Sequence, residues 1–141
     1  MMMPDLALQT AIRSALIASP VITGHITPDR IRAGSIRSED LPAIVLAPVR
    51  VKILGRAAGH QIVAELRSMV QVWAVDDGST VPYEIAAAAT AALMDAPRSE
   101  GFQIDEWERP ALSWVSDVRA EVTHAHAAIG LRATIRYKVN A

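Results

Sequence analysis

The chain has 141 residues, enough for one domain with a core of its own and too few for two comfortable ones. A formal net charge of -1 argues against a dedicated nucleic-acid binder, whose affinity comes mainly from an excess of Lys and Arg over phosphate. The absence of cysteine excludes disulfides, thiolate nucleophiles and thiolate metal sites together, and suits assembly in a reducing cytoplasm.

Hydrophobic residues make up 51% and charged residues 21% of the chain, the profile of a folded domain rather than a disordered tail. Aromatics contribute only 4%, so Ile, Leu, Val and Ala have to supply most of the buried area. Met1-Met2-Met3-Pro4-Asp5 lacks the basic opening of a signal peptide. The longest apolar stretch, from Ile85 to Met94, is broken by Thr90 and falls well short of the roughly 18 residues of a spanning helix. No membrane partner is expected.

Asp5 is a candidate N-cap, and Leu8, Ile12, Ala15 and Leu16 recur at helical spacing behind it. Ser19-Pro20 ends this helix, because the residue before proline is pushed out of the α region. From Val21 to Leu41 the pattern loosens around Gly24, Pro28 and Gly34, with one short strand expected near Arg30 to Ala33. Ala43-Ile44-Val45-Leu46 then reads as a β run, and Pro48, which interrupts the run toward Val51, fits an edge strand or a bulge. Gly55 to His60 has the composition of a flexible hairpin tip.

Ile62 to Val75 alternates strictly, with Leu66, Ser68, Val70 and Val72 on one face and Arg67, Met69, Gln71 and Trp73 on the other. This predicts a long strand. Asp76-Asp77-Gly78-Ser79-Thr80 predicts a turn into a second helix, with Ser79 or Thr80 as N-cap and Pro82 and Glu84 in the first turn. Ile85, Ala88, Ala89, Ala92 and Ala96 form its inward face, small enough to sit close on a sheet. After Asp95-Ala96-Pro97 comes a polar segment of weak strand character, Phe102 to Arg109, and then a separate strand carrying Leu112, Trp114 and Val118. In the last strand Ala127, Ile129, Leu131, Ala133, Ile135, Tyr137 and Val139 alternate with Gly130, Arg132, Thr134, Arg136 and Lys138, one face dry and one wet. The pattern predicts a single α+β domain over residues 1–141: an antiparallel sheet of about four strands with two helices packed on one face.

Residues able to carry chemistry are sparse. His124-x-His126 could present two imidazoles on one strand face, but no third ligand is nearby, and Glu121 falls on the opposite parity. Asp76-Asp77-Gly78 lacks the ligand spacing of a calcium loop, and Gly55-Arg56-Ala57-Ala58-Gly59 lacks that of a phosphate loop. No serine sits in a nucleophile turn. Asp105, Glu106 and Glu108 read as a solvated face, and Arg132, Arg136 and Lys138 as cations paired with acids on a neighbouring strand. Trp73, Trp107 and Trp114 read as packing residues or interface anchors. Neither a catalytic residue, a cofactor nor a metal is assigned. The one candidate contact site is the polar hairpin tip from Lys52 to His60, with Lys52, Arg56 and His60 as its contact residues.

Leu8-Gln9-Thr10-Ala11-Ile12-Arg13-Ser14-Ala15-Leu16 followed by Leu41-Pro42-Ala43-Ile44-Val45-Leu46 resembles the opening helix and first core strand of phage tail-completion (tail terminator) proteins. Val70-Gln71-Val72-Trp73-Ala74 before an Ala-rich helix, and the run His124 to Val139, are similar to that family's middle and closing strand. The resemblance spans nearly the whole chain in order. It implies a virion protein of a long-tailed phage or a gene transfer agent, forming a ring, usually hexameric, that caps the finished tail tube. The implied partners are other copies of the chain, the major tail tube protein and a head–tail connector or stopper protein, with DNA only as cargo passing through the lumen. The family has no catalytic residues to carry over. Two rivals stay open at this point: another head–tail joining or minor tail protein, and a metal-dependent enzyme using His124 and His126.

Overall fold

The structure is a computed structural model that describes residues 3–115 and 124–139. Three α-helices and a six-stranded sheet are present among these residues. Helix α1 spans Pro4–Ile17, α2 Pro20–His25 and α3 Val81–Ala92. The strands are β1 (Ile31–Ala33), β2 (Ala43–Leu46), β3 (Arg50–Ala57), β4 (Gln61–Val75), β5 (Gln103–Val115) and β6 (His124–Lys138). No helix among the described residues is long and apolar enough to cross a membrane.

α1 starts two residues earlier than the sequence suggests. Met3 is the N-cap and Pro4 the first helical residue, a position where the missing N–H costs nothing. Asp5 therefore lies inside the first turn, where its carboxylate still favours the positive helix end. Leu8, Ile12 and Leu16 are fully buried, as their spacing predicts. Ser19 both follows the end of α1 and caps α2, accepting from the Ile22 N–H, with Pro20 next to it. That second short helix is not visible in the hydrophobic pattern, because only Ile22 in it is buried. Arg13 ties α1 to the next segment, donating to the carbonyls of Ile31 at 2.7 Å and Pro28 at 2.9 Å.

β4 and β6 are the axis of the sheet, paired antiparallel along their whole lengths from Gln61↔Lys138 to Val75↔His124. β5 borders β6 on one side. On the other side β4 carries two strands end to end: β2 pairs with residues 70–73 of β4 and β3 with residues 61–67. β1 then adds to β2 in parallel. The expectation of about four strands, all antiparallel, is thus corrected to six with one parallel pair, and the two helices to three. The short strand expected near Arg30 to Ala33 is β1, and its direction relative to β2 depends on how residues 34–42 carry the chain back to the start of β2.

The core lies between the helices and one face of this sheet. Ile44, Leu66, Val70, Val72, Ile129 and Ile135 from the strands meet Leu8, Ile12, Leu16, Ile85 and Ala89 from the helices, all at or near zero exposure. Burying this aliphatic face is the main stabilising term for a domain with so few aromatics. Ala96 does not join it. α3 stops at Ala92, which leaves Ala96 exposed, while Leu93, just past the helix, is fully buried in its place.

The segments expected as a weak strand and a separate strand form one strand, β5, with two register breaks. The first is an extra residue, Asp105, between Ile104 and Glu106; the second contains Arg109 and Pro110. Each break resets the alternation, so no single period-two pattern runs through the strand. Val118 and Glu121 lie outside the described residues.

Candidate functional site

β3 is the most exposed of the long strands. All its residues are exposed except Ala57, which is half-buried. Val51, Ile53 and Leu54 are 36%, 56% and 50% exposed, on a strand whose outer edge has no partner among the described residues. The turn to β4 is tighter than the expected Gly55–His60 tip. Gly55, Arg56 and Ala57 are paired strand residues, and only Ala58, Gly59 and His60 form the connection. Gly59 (φ 76°) and His60 (φ 59°) take left-handed conformations there, which explains the glycine.

The three candidate contact residues do not converge. Lys52 pairs with Glu65 and shares the outer, helix-free face with Arg50 and Arg67. Arg56 pairs with Ile62 and so has the opposite parity, and His60 sits in the turn. The apolar residues Val51, Ile53 and Leu54 were missed by composition-based reasoning, because they look like ordinary core positions. The available signal was Pro48, whose presence just before β3 fits a sheet edge.

The outer face of the sheet is charged and ordered. Glu65 accepts from Arg67 Nε at 2.6 Å and from Arg132 Nε at 3.0 Å. Arg132 also lies 3.6 Å from Glu106 and 3.9 Å from Glu108, and Arg136 donates to Asp105 at 2.7 Å. Asp105 reaches Arg136 through the β-bulge, a common use of an extra residue to re-aim a side chain. The donating Arg67, and then Arg132, hold the Glu65 carboxyl below the usual carboxylate range. Glu65 and Asp105 raise the affinity of Arg132 and Arg136 for their protons. Two of the three β6 cations read from the sequence are paired across the sheet, Arg132 with Glu65 of β4 and Arg136 with Asp105 of β5, while Lys138 makes no ion pair among the described residues.

The other candidates resolve into structural roles. His126 stacks on Trp73 with ring centroids 3.6 Å apart. His124 lines a shallow hollow of about 370 Å³ with Trp73, Gln71 and Leu41. Among the described residues no three His, Cys, Asp or Glu side chains lie close enough together to hold a metal ion. Asp77 accepts from the Ser79 N–H at 3.0 Å, an ordinary turn. Trp107 donates to the Leu93 carbonyl at 2.9 Å and closes the C-terminal end of α3. Trp114 and Tyr83 form a tilted pair at the surface, 42% and 62% exposed.

What the geometry offers is therefore contact surface: an uncovered apolar edge strand, a charged sheet face and a surface aromatic pair. Residues 10–136 match the family model described as Tail completion protein gp17. The chain belongs to that family. Membership makes it a structural component of a phage-type virion tail. The matched span includes β1 to β5 whole and β6 as far as Arg136, and omits the first six residues of α1, so the hairpin and the charged face lie within the matched span. Among solved structures the tail completion fold recurs in a chain from "Virion of native gene transfer agent (GTA) particle", with a TM-score of 0.70 at 18% identity, covering 92% of this chain and 95% of that one. No curated protein is similar enough to match the chain.

Proposed function

We propose that the chain assembles into a homo-oligomeric, hexameric ring that terminates the tail tube and joins it to the head-proximal connector of a phage or gene transfer agent. The observation that carries the assembly is β3, an eight-residue edge strand left uncovered with three large aliphatic side chains on it. Such an edge invites aggregation in a free monomer and is best explained as a surface that another subunit covers. The capping role rests on family membership, and the likeness to a chain of a gene transfer agent virion is consistent with the same fold serving in such a particle.

The partners in this reading are neighbouring copies, the major tail tube protein and a connector or stopper protein, with DNA passing through the lumen. The segment Lys52 to His60 is the contact element, presented by β3 and its turn beyond the helix-covered core. The role is architectural and needs no catalytic group.

Deleting the gene tests the reading. A ring that stops tube growth and offers a docking surface should, when lost, produce two defects together: tails of abnormal length and heads without tails. Normal-length tails attached to heads in the deletion strain would refute termination.

A further inference from the structure

Resting on the ring reading, we propose that neighbouring copies meet head-to-tail across the sheet, the basic β3 border of one receiving the acidic β5 border of the next. In the half of the sheet away from β2, the strand order is β3-β4-β6-β5, so β3 and β5 are its two borders.

The charges are sorted between them. Arg50, Lys52 and Arg56 on β3 are exposed and make no ion pair or hydrogen bond among the described residues. Arg50, Lys52, Arg67 and Glu65 line a small cleft of about 120 Å³, in which the single carboxylate is already shared by Arg67 and Arg132. The cleft has cations to spare. On β5 the stretch Gln103 to Pro110 holds Asp105, Glu106 and Glu108 against one cation, Arg109. The Glu106 and Glu108 side chains are 64% and 58% exposed, and both stand beyond 3.5 Å from Arg132.

Register strengthens the match. One row across the outer face reads Arg50, Arg67, Arg132, Glu108, and the next reads Lys52, Glu65, Thr134, Glu106. Continuing these rows into a second copy without offset sets its Glu108 beside Arg50 and its Glu106 beside Lys52. β3 and β5 run in opposite directions, so the two borders would lie antiparallel. A two-fold contact between like borders would instead set cation against cation, which disfavours a closed dimer and favours a repeating, ring-forming contact. The breaks at Asp105 and Pro110 interrupt the β5 ladder, so side chains rather than a continuous sheet make the contact.

Charge reversal and its rescue test this. The Arg50→Glu/Lys52→Glu variant should stay folded, checked by thermal unfolding, yet enter particles about tenfold less than the native chain. Glu106→Lys/Glu108→Lys should fail similarly, and the variant carrying all four changes should recover. Undiminished entry of the first variant would overturn the proposal. So would a block that the fourfold variant does not relieve, because the cleft would then serve DNA or a different virion protein. A second readout uses the cysteine-free background: Lys52→Cys/Glu106→Cys particles should give disulfide-linked multimers on oxidation, and monomers alone would overturn the contact. The ring reading fails separately, on images of native particles whose copies lack rotational symmetry.

Discussion

The two ends of β4 have similar strand chemistry and different surroundings. Near its C-terminal end Val70 and Val72 pair with Ile129, Ala127, Leu46 and Ile44 under the helices, and all are essentially buried. Near its N-terminal end the neighbour is β3, whose Val51 and Ile53 have the parity of the core face yet stay exposed. Side-chain type does not distinguish the two regions. The helices do, because α1, α2 and α3 cover the sheet only so far. The same type of aliphatic residue is thus a stabilising element in one place and an exposed side chain in the other.

The sharpest way to break this comparison is to make the same truncation on both sides. Ile129→Ala, at a site with no exposure, should cost about 2–5 kcal/mol in denaturant unfolding of the purified chain. Ile53→Ala should change that stability by less than about 0.5 kcal/mol, while reducing incorporation into tails. Equal losses of stability would mean that β3 is part of the monomer's core after all.

A smaller effect marks where the covered region ends. Trp107→Phe keeps an aromatic side chain but removes the N–H-bearing ring that donates to the Leu93 carbonyl, and leaving that carbonyl unmet should cost about 1–3 kcal/mol by thermal or denaturant melting. In the uncovered hairpin, Gly59→Ala meets no atom within 4 Å but places a side chain at φ +76°. It should cost about 1 kcal/mol from backbone conformation alone. Gly24→Ala in α2, which also has open space and no positive φ, should be neutral or slightly stabilising, a control readable in the same melts.

The smallest expected effect joins the two regions. Glu65 links Arg67 and Arg132, and its folded pKa lies below the ordinary value of 4.5. Its contribution is therefore complete above that value and is lost as pH falls through the lowered folded pKa. Acid titration of stability should show a slightly shallower decline for Glu65→Gln than for the native chain below about pH 4.5. An identical slope would mean that the ion pairs, lying at a solvated face, add nothing to stability.

Much of the helix-covered region was legible from residue order. The burial of Leu8, Ile12 and Leu16, the two faces of β4 and the dry face of β6 all follow from periods of 3.6 and 2. β5 was read as two pieces because its bulges reset the alternation, and β3 was shortened to a loop because Gly55 and Gly59 look like tip residues. The surface around β3 is the least legible from residue order. Lys52, Arg56 and His60 were grouped by nearness in sequence, but strand parity separates Lys52 from Arg56 and joins Lys52 to Glu65 and Arg67.

Residue order alone determined the cysteine-free aliphatic core and the inward faces of α1, β4 and β6, because these depend on composition and local periodicity. Its succession of short motifs also carried the likeness to tail completion proteins. Only the tertiary structure decided which strands lie side by side, that β1 joins β2 in parallel, and that β3 is left uncovered. The physical reason is that burial is a property of neighbours: nothing local to Val51 or Ile53 records that no helix reaches them. Likewise, the sorting of cations to the β3 border and carboxylates to the β5 border exists only once residues 50, 67, 132 and 108 fall into one row.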